Sequence, residues 1–353
     1  MMLAIAKALG LGIVLALSGP ALVEARDATW PVKGKLVGEP KGRGGDAEEA
    51  KKARDVSGIA CASTSGFPRI CVVADDETQG AQIVVLHDGR LVAGDFIRLT
   101  DETRDGEPLE LDAEGVAYAD GAFYVVGSHG RPRHRDRGAD DAESTAKTRA
   151  TRKIFRLRFD PAAVDRDGRL TGSVAITAST ALAAHLAAEP ALAASFDGAL
   201  DADGLTIEGI AVQGDRLHVG LRGPVLPDGK AAILSVPLVA VFGAERTKAV
   251  LHRVDLGDRR GIRDLAVYGS GVLVLAGPVQ DPPGGTIEDG GYGVVWWDGA
   301  SVTKALGGLP SYGSRVKPEA LLPLGRTNGR LRVLLLFDGP EEGGPRTVEI
   351  DAP

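Results

Sequence analysis

Short apolar segments separated by polar turns recur along the chain, and five of them share one pattern. Each begins with a polar or charged residue, continues through small and apolar residues, and ends in a polar turn. The five segments are SGIACAS (57–63), EGVAYAD (114–120), EGIAVQG (208–214), RDLAVYG (263–269) and EALLPLG (319–325). Their length and bounding turns are typical of β-strands.

Further strands follow each of these segments. A more apolar second strand comes after each turn, and a third strand follows a loop. The second strands read ICVVAD, FYVVGS, LHVGLR, VLVLAG and RVLLLF, and the third strands read QIVVLH, KIFRLRF, AAILSV, GVVWW and RTVEI. Fourth strands are predicted at FIRLT, VAITA, AVLHRV and SVTKAL. The sequence therefore predicts an all-β fold with four strands per unit.

The units recur about every 55 residues, apart from one longer interval between Glu114 and Glu208. This period predicts a single β-propeller domain, residues 26–353, with five blades of four strands. Six blades are the alternative if the long interval contains a degenerate blade. A pair of β-sandwiches is a third, weaker option.

The long interval contains two predicted insertions. Residues 131–152 are rich in arginine and form either a lid over one end of the propeller or a plain surface insertion. Residues 181–203 are rich in alanine and predict a pair of short helices broken at Pro190.

The fifth unit ends at Pro353 without a fourth strand, whereas the strand-like segment WPVKGKLVG, residues 30–38, has no unit of its own. We predict that this N-terminal segment supplies the missing strand. It would close the ring and remove an exposed sheet edge.

The first 25 residues have the order of a secretory signal peptide. Lys7 precedes an apolar run, and Val23-Glu24-Ala25 offers small residues for cleavage. The run is shorter than the about 20 residues that cross a bilayer comfortably. We expect a periplasmic or secreted protein with no membrane span after signal removal; a retained anchor is the alternative.

Cys61 and Cys71 are the two cysteines, and they flank a turn centred on Gly66. This arrangement places them opposite each other in a hairpin. We predict a disulfide in an oxidising compartment, with two buried free thiols as the alternative.

Aligning the five repeats places Ser57, Glu114, Glu208, Arg263 and Glu319 in one column. Charged side chains at an inward-facing position are costly unless they are paired, hydrated or bound to metal. The column therefore indicates a solvated polar site in the propeller channel. Salt bridges between blades, with no further role, are the alternative.

A second column falls where the second strands end. It contributes residues expected near the channel mouth: Asp75, Asp76, Glu77, His129, Arg131, Arg222 and Asp338. The offset from Glu114 to Ser128 equals that from Glu208 to Arg222, which supports one shared geometry. A solvated turn is the alternative for the acidic residues and a hydrogen-bonded turn residue is the alternative for His129.

The chain has no nucleophile elbow, no phosphate-binding glycine loop and no C-x-x-C metal pair. What remains is a set of carboxylates from separate blades, which suits a hard cation, with Ca²⁺ as the candidate cofactor. Asp75, Asp76 and Glu319 are the candidate metal ligands. Arginines beside them suit an anion such as phosphate or carboxylate. The net charge of −7 without a basic face argues against nucleic acid.

The motifs SGIA, VADDE, LDAEGVAY, GSHGR, LTIEGIAV, GLRGP, RGIRDLAV and PEALL, in this order, resemble the bacterial domain-of-unknown-function family thirty-six sixteen. The match runs from about residue 55 to residue 338, and the family brings no established activity. It is distantly similar to esterase-like phytase propellers, which share strands with an E-G-[LIV]-A start. That similarity implies that Glu114 and Glu208 face a ligand or metal. Ser57 and Arg263 depart from the glutamate pattern.

The leading functional hypothesis is a monomeric, exported propeller that hydrolyses or binds a small anionic ester. Glu114, Glu208 and His129 are the catalytic candidates, and Arg131, Arg222 and Arg263 are the candidates for holding the anion. Whether the protein is an enzyme stays open. A non-catalytic binding module for a polypeptide, glycan or cell-envelope component is the alternative.

Overall fold

The repeated strands form five four-stranded antiparallel sheets arranged around a central channel, as a computed structural model shows for residues 25–40, 50–132, 141–244, 247–282 and 284–353. Blade 1 comprises β3 (Val56–Cys61), β4 (Arg69–Asp75), β5 (Gly80–His87) and β6 (Arg90–Arg98). Blade 2 comprises β9 (Ala113–Ala119), β10 (Ala122–Gly127), β11 (Ile154–Arg158) and β12 (Ala175–Ser179). Blade 3 comprises β13 (Thr206–Gln213), β14 (Arg216–Gly223), β15 (Ala231–Pro237) and β16 (Val250–Val254). Blade 4 comprises β17 (Arg260–Tyr268), β18 (Gly271–Pro278), β19 (Gly293–Trp297) and β20 (Thr303–Gly308). Blade 5 comprises β21 (Lys317–Thr327), β22 (Arg330–Asp338), β23 (Arg346–Asp351) and β1 (Ala25–Thr29).

The five-blade prediction is confirmed, and the proposed fourth strands correspond to β6, β12, β16 and β20. The first strand of each blade is the innermost, and these strands contact one another around the channel. Five apolar clusters fill the five spaces between neighbouring blades in the described part of the chain. Burial of apolar surface between blades is therefore what holds the ring together.

The N-terminal segment closes the ring, but with a different strand from the one predicted. β1 pairs antiparallel with β23 of blade 5. Residues 30–38 instead cross to blade 1, where β2 (Val32–Lys33) lies parallel to β6. The closing strand therefore lies directly before the predicted one. The predicted signal peptide falls outside the described residues, apart from Ala25.

The insertions carry three of the remaining elements. They are α1 (Asp141–Thr151), α2 (Ala181–Ala188) and the 3₁₀ turn Leu200–Ala202. Elsewhere lie α3 (Leu238–Phe242), the 3₁₀ turns Pro161–Ala163 and Glu341–Gly343, and a hairpin of β7 (Thr103–Arg104) and β8 (Glu107–Pro108). The prediction of a helix pair broken at Pro190 was wrong in its second half, because the chain after Pro190 forms successive turns. None of the described helices is long and apolar enough to span a bilayer.

A β-bulge recurs in the innermost strand of all five blades. In each innermost strand the residue of the first column is the extra residue of a β-bulge, skipped by the register of the neighbouring strand. A bulge leaves its extra residue unpaired and redirects its side chain. The repeated bulge thus explains why these residues all face the channel.

Close packing of the inner strands explains the glycine in the SGIA, EGVA and EGIA motifs. A Cβ at Gly58 would lie 2.8 Å from the backbone nitrogen of Val116 in the next blade. A Cβ at Gly209 would lie 2.6 Å from the Cα of Asp264. Only glycine permits so close an approach of two backbones.

The predicted disulfide is present between Cys61 and Cys71, which lie directly opposite each other on β3 and β4. The alternative of two free thiols is therefore wrong. The bond closes the hairpin at the far end of the channel from the first column.

Candidate functional site

A polar cavity of about 450 Å³ opens at the end of the propeller where the innermost strands begin. All five first-column residues line it: Ser57, Glu114, Glu208, Arg263 and Glu319. A second, smaller cavity of about 80 Å³ lies further along the channel. It is lined by apolar side chains such as Ile59, Val116 and Ile210. The site is therefore a polar funnel, which we call the funnel below.

Glu208 lies at the centre of a buried ion-pair network on one side of the funnel. Its Oε1 accepts a hydrogen bond from Arg222 at 2.9 Å, and its Oε2 lies 3.1 Å from Nε of Arg263. Arg263 also donates two hydrogen bonds to the carboxylate of Glu319, and the one from Nε is 2.7 Å long. Burial alone would raise the pKa of Glu208, but the guanidinium groups of Arg263 and Arg222 outweigh burial and lower it. Glu208 is therefore held as a fixed carboxylate.

The network continues to the funnel mouth. Arg222 donates to Asp281 at 3.0 Å and to the carbonyl of Val279 at 2.7 Å. Lys317 lies 3.4 Å from Asp281 and forms a second ion pair with Asp338. On this side of the funnel the carboxylates are thus paired with cationic side chains across blades 3, 4 and 5.

Three carboxylates face one another on the opposite side of the funnel. One oxygen each of Asp76, Asp112 and Glu114 lies within 4.8 Å of the others. Asp76 follows β4, Asp112 precedes β9, and Glu114 is the bulged residue of β9, so the three come from two neighbouring blades. We call these three residues the carboxylate triad.

Burial and the neighbouring carboxylates raise the pKa values of two triad residues, Asp76 and Glu114. Burial raises the pKa of Asp76 well above its ordinary value, and the nearby Asp112 raises it further. Burial likewise raises the pKa of Glu114, with Glu208 and Asp112 adding to the effect. Among the described residues, no hydrogen-bond donor reaches the buried Oδ1 of Asp76. Such an arrangement is stabilised by a proton or by a bound cation.

The structure places the predicted metal ligands in three different settings. Asp76 belongs to the triad, whereas Glu319 is paired with Arg263. Asp75 is buried and accepts hydrogen bonds from the backbone of Asp55 at 3.2 Å and Glu77 at 3.3 Å. Of the three, only Asp76 is in the group with metal-ligand spacing.

His129 is fully buried and is not among the residues that line the funnel. Its Nδ1 lies 3.0 Å from the carbonyl oxygen of Gly127. Burial lowers its pKa to about 4, despite that hydrogen bond. The imidazole is therefore neutral at pH 7 and lies outside the cavity wall.

The three predicted arginines also differ in setting. Arg222 and Arg263 line the funnel but are engaged by carboxylates. Arg131 lies at the rim, where it donates to Ser144 Oγ at 3.4 Å and to the carbonyl of Asp197 at 3.3 Å. Within the described part of the chain no carboxylate lies at ion-pair distance from Arg131. It is thus the predicted arginine with the most freedom to meet a ligand.

Asp112 and Lys317 are site residues that the sequence analysis missed. Both stand two positions before a first-column residue, as does Thr206, and all three line the funnel. The side chains of residues two apart in a strand point to the same face. Extending the alignment two residues upstream would have identified them.

Three solved structures are similar in shape to this chain. An exo-β-1,3-galactanase from Phanerochaete chrysosporium matches with a TM-score of 0.43 and 10% identity, over 89% of this chain and 63% of the galactanase. An α-L-arabinanase from Cellvibrio cellulosa matches with a TM-score of 0.40 and 12% identity, over 85% of this chain and 92% of the arabinanase. The PQQ-bound form of an aldose sugar dehydrogenase from Streptomyces coelicolor matches with a TM-score of 0.39 and 12% identity, over 94% of this chain and 99% of the dehydrogenase. This chain thus spans less than two thirds of the galactanase, and no activity is transferred from these similarities.

A comparison with curated protein sequences gives no match. The family model described as "Protein of unknown function (DUF3616)" matches residues 62–159 and 162–345, which is most of the chain. Both parts of the match lie in the propeller, and they include Asp76, Asp112, Glu114 and Glu208. The family resemblance expected from the motifs is therefore confirmed, and the chain belongs to the family of unknown function DUF3616.

Proposed function

We propose that this propeller binds a divalent cation, Ca²⁺ in the first place, at the carboxylate triad, and that the cation holds a small anionic ester in the funnel for hydrolysis. The observation that carries the proposal is the approach of Asp76, Asp112 and Glu114 to within 4.8 Å, with one buried oxygen lacking a donor among the described residues. Carboxylate oxygens are the ligands that Ca²⁺ prefers.

The charge balance supports a cation at this place. The three carboxylates are partly buried, and burial together with their mutual repulsion raises the pKa values of Asp76 and Glu114. A divalent cation converts this repulsion into attraction, and water supplies the remaining ligands that Ca²⁺ requires. The cation is then the main group available to attract an anion on this side of the funnel.

The ion-pair network supports a fixed general base. Because Arg222 and Arg263 are engaged by Glu208, Glu319 and Asp281, we assign them to holding Glu208 rather than to holding the anion. In the proposed reaction, a water molecule gives its proton to Glu208 while its oxygen bonds to the phosphorus or carbonyl carbon of the ester. The alcohol then leaves with a proton from solvent, and Glu208 returns its proton to solvent, which restores the carboxylate. Arg131 is the proposed side-chain partner of the anionic group.

The placement of His129 favours a second candidate, binding without turnover. This predicted acid–base residue lies outside the cavity wall, so among the described residues no imidazole lines the funnel to protonate a leaving group. In this alternative the same cation site retains an anionic ligand. The disulfide suits an oxidising compartment and supports a role outside the cytoplasm for either candidate.

The cation site is tested by calorimetric titration of the metal-free protein with Ca²⁺ and with Mg²⁺. Asp76→Asn, Asp112→Asn and Glu114→Gln each remove one charged ligand, and we expect each to weaken Ca²⁺ binding at least tenfold. Asp120→Asn, in the exposed turn after β9, is the matched control and should bind as the original chain does. Absence of saturable binding, or equal binding by folded triad variants, would refute the proposal.

Hydrolysis is tested with generic phosphate and carboxylate esters in the presence and absence of Ca²⁺. We expect cation-dependent turnover that Glu208→Gln abolishes, with circular dichroism as the check on folding. Turnover that survives in folded Glu208→Gln would remove Glu208 from the mechanism. Cation and ester binding without turnover would instead establish the binding module.

A further inference from the structure

An apolar surface lines the funnel beside the carboxylate triad. It consists of Pro108, Leu109, Pro132 and Leu200, which we call the apolar lip. Leu205 also borders the cavity, but it is fully buried in the core between blades 2 and 3. These residues border the same cavity of about 450 Å³ as the triad and Glu208. A cavity built for an inorganic ion alone has no use for such a surface.

One backbone segment carries a residue of the apolar lip and a residue of the triad. Leu109 and Asp112 belong to one short segment between β8 and β9. That segment is fixed, because the Leu109 nitrogen donates to Glu102 at 2.8 Å and its carbonyl accepts from Gln79 at 2.9 Å. A ligand group at the triad therefore has the lip immediately beside it.

The other half of the lip comes from the two insertions rather than from the propeller frame. Leu200 lies in the 3₁₀ turn of the second insertion, and its carbonyl accepts a hydrogen bond from Gln280 at 2.6 Å. A parallel bridge between Arg131 and Ala199 joins the two insertions. Arg152 strengthens this junction through Asp197 at 2.8 Å and through the ring of Phe196. The insertions thus hold apolar side chains in place at the rim.

We propose that the ligand is amphipathic, with an anionic group held at the cation and an alkyl or aryl body packed against the apolar lip. This inference rests on the proposed function, and it narrows the substrate class to monoesters that have an apolar alcohol. Each methylene buried against such a surface contributes about fourfold in affinity.

The test measures binding of a ligand series to the Ca²⁺-loaded protein. Methyl phosphate, butyl phosphate, phenyl phosphate and glycerol phosphate carry the same anionic group on bodies of different polarity. We expect phenyl and butyl phosphate to bind at least tenfold more tightly than methyl phosphate, and glycerol phosphate to bind no more tightly than methyl phosphate. Equal affinities across the series would overturn the inference.

Substitutions in the apolar lip test whether it is the surface that contacts the apolar body of the ligand. Leu200→Ser and Leu109→Ser should each weaken phenyl phosphate at least fivefold and leave methyl phosphate unchanged. Val239→Ser, at an exposed apolar position on α3, is the matched control. If folded lip variants bind phenyl phosphate as the original chain does, the lip is not the contact surface.

The two proposals fail in different ways. Absence of Ca²⁺ binding by the original chain would refute the cation site itself. Binding of Ca²⁺ and of methyl phosphate, with no gain from an apolar body, would refute only the amphipathic ligand.

Discussion

Arg263 is the residue on which the buried charges of the funnel depend. It is fully buried and contacts two carboxylates, Glu319 and Glu208, the second of which also pairs with Arg222. Arginine suits this place because its planar fork binds two acceptors at once. The fold therefore tolerates the buried charge of Arg263, because Glu208 and Glu319 lie at ion-pair distance from it.

Arg263→Met should leave two buried carboxylates without their shared partner. We expect a loss of about 3–5 kcal/mol in the free energy of unfolding, because a buried charge without a partner is strongly destabilising. Urea unfolding followed by tryptophan fluorescence measures this. Arg263→Lys keeps the charge but not the fork and should lose less. Equal stability of the methionine variant would show that the ion pairs contribute nothing to the fold.

His218 makes the stability of the protein sensitive to acid. It lies between blades 3 and 4, where its ring meets Trp297 edge-on and its Nδ1 lies 2.6 Å from Ser235 Oγ. Burial, the nearby His252 and Arg216 lower its pKa to about 4. The unfolded chain takes up a proton near pH 6.5, and the folded chain does so only near pH 4.

Stability should therefore fall as the pH drops from about 6.5 to about 4, and His218 accounts for up to about 3 kcal/mol of this loss. His129 has a similarly lowered pKa and adds to the effect. Thermal unfolding at several pH values should show a shallower pH dependence in His218→Gln than in the original chain. His185→Gln, on α2, is the control. An unchanged slope in His218→Gln would contradict the assignment.

At the residue scale, the sequence revealed which side chains face the channel but not how they pair. The column from Ser57 to Glu319 was predictable because one bulge recurs in five similar strands. The pairing of Arg222 with Asp281 joins residues far apart in the chain. Such pairing depends on how neighbouring blades are placed, and this placement leaves no periodic signal in the sequence.

At the scale of elements, the hairpin β3–β4 is the most constrained unit of blade 1. Its two strands are joined by the Cys61–Cys71 disulfide. Arg69, the first residue of β4, links the hairpin to the adjoining blade 5 by donating to the carbonyls of Pro323 and Leu324. The hairpin is therefore tied both within blade 1 and to blade 5.

Replacing both cysteines with alanine should lower the free energy of unfolding by about 2–3 kcal/mol, the value expected for so short a loop. The ring should persist, because the cores between blades and the contacts of Arg69 remain. Denaturant unfolding of the double variant and of the oxidised original chain measures the difference. Loss of folded structure in the double variant would mean that the bond is required to form blade 1.

Two elements were mispredicted for identifiable reasons. Residues 30–38 have more apolar character than ARDAT, the sequence of β1, so local propensity favoured the wrong segment as the closing strand. The alanine-rich stretch after Pro190 has strong helix propensity, but there the chain must turn back towards the funnel rim. In both places the requirements of the tertiary structure overrode local preference.

At the scale of the whole molecule, the ring is a cycle of five similar interfaces that β1 completes. The blade count was predictable because each blade repeats the same strand order and spacing. β1 holds blade 5 through pairing with β23, and the Trp30 nitrogen donates to Pro345 at 2.7 Å directly after it. The first and the last of the described strands therefore pair within a single blade.

A chain that begins at Trp30 should lose the β1–β23 pairing and about 2–4 kcal/mol of stability, from its lost backbone hydrogen bonds. It should also unfold less cooperatively, because blade 5 becomes an open edge. Calorimetric unfolding compares it with a chain that begins at Ala25. Identical transitions in the two chains would show that closure by β1 is not needed for stability.

The bulge shared by the five innermost strands has a consequence for protein engineering. Because the bulged residue stands outside the ladder of backbone hydrogen bonds, its side chain is exchangeable without unpairing a strand. Ser57 occupies such a position, and its hydroxyl donates to the nearby carbonyl of Asp55. A histidine or glutamate placed there would add a new ligand on the triad's side of the funnel, in the same blade as Asp76, while the scaffold stays fixed. Of the five first-column positions, Ser57 is therefore the one at which a new side chain removes neither an ion pair nor a triad carboxylate.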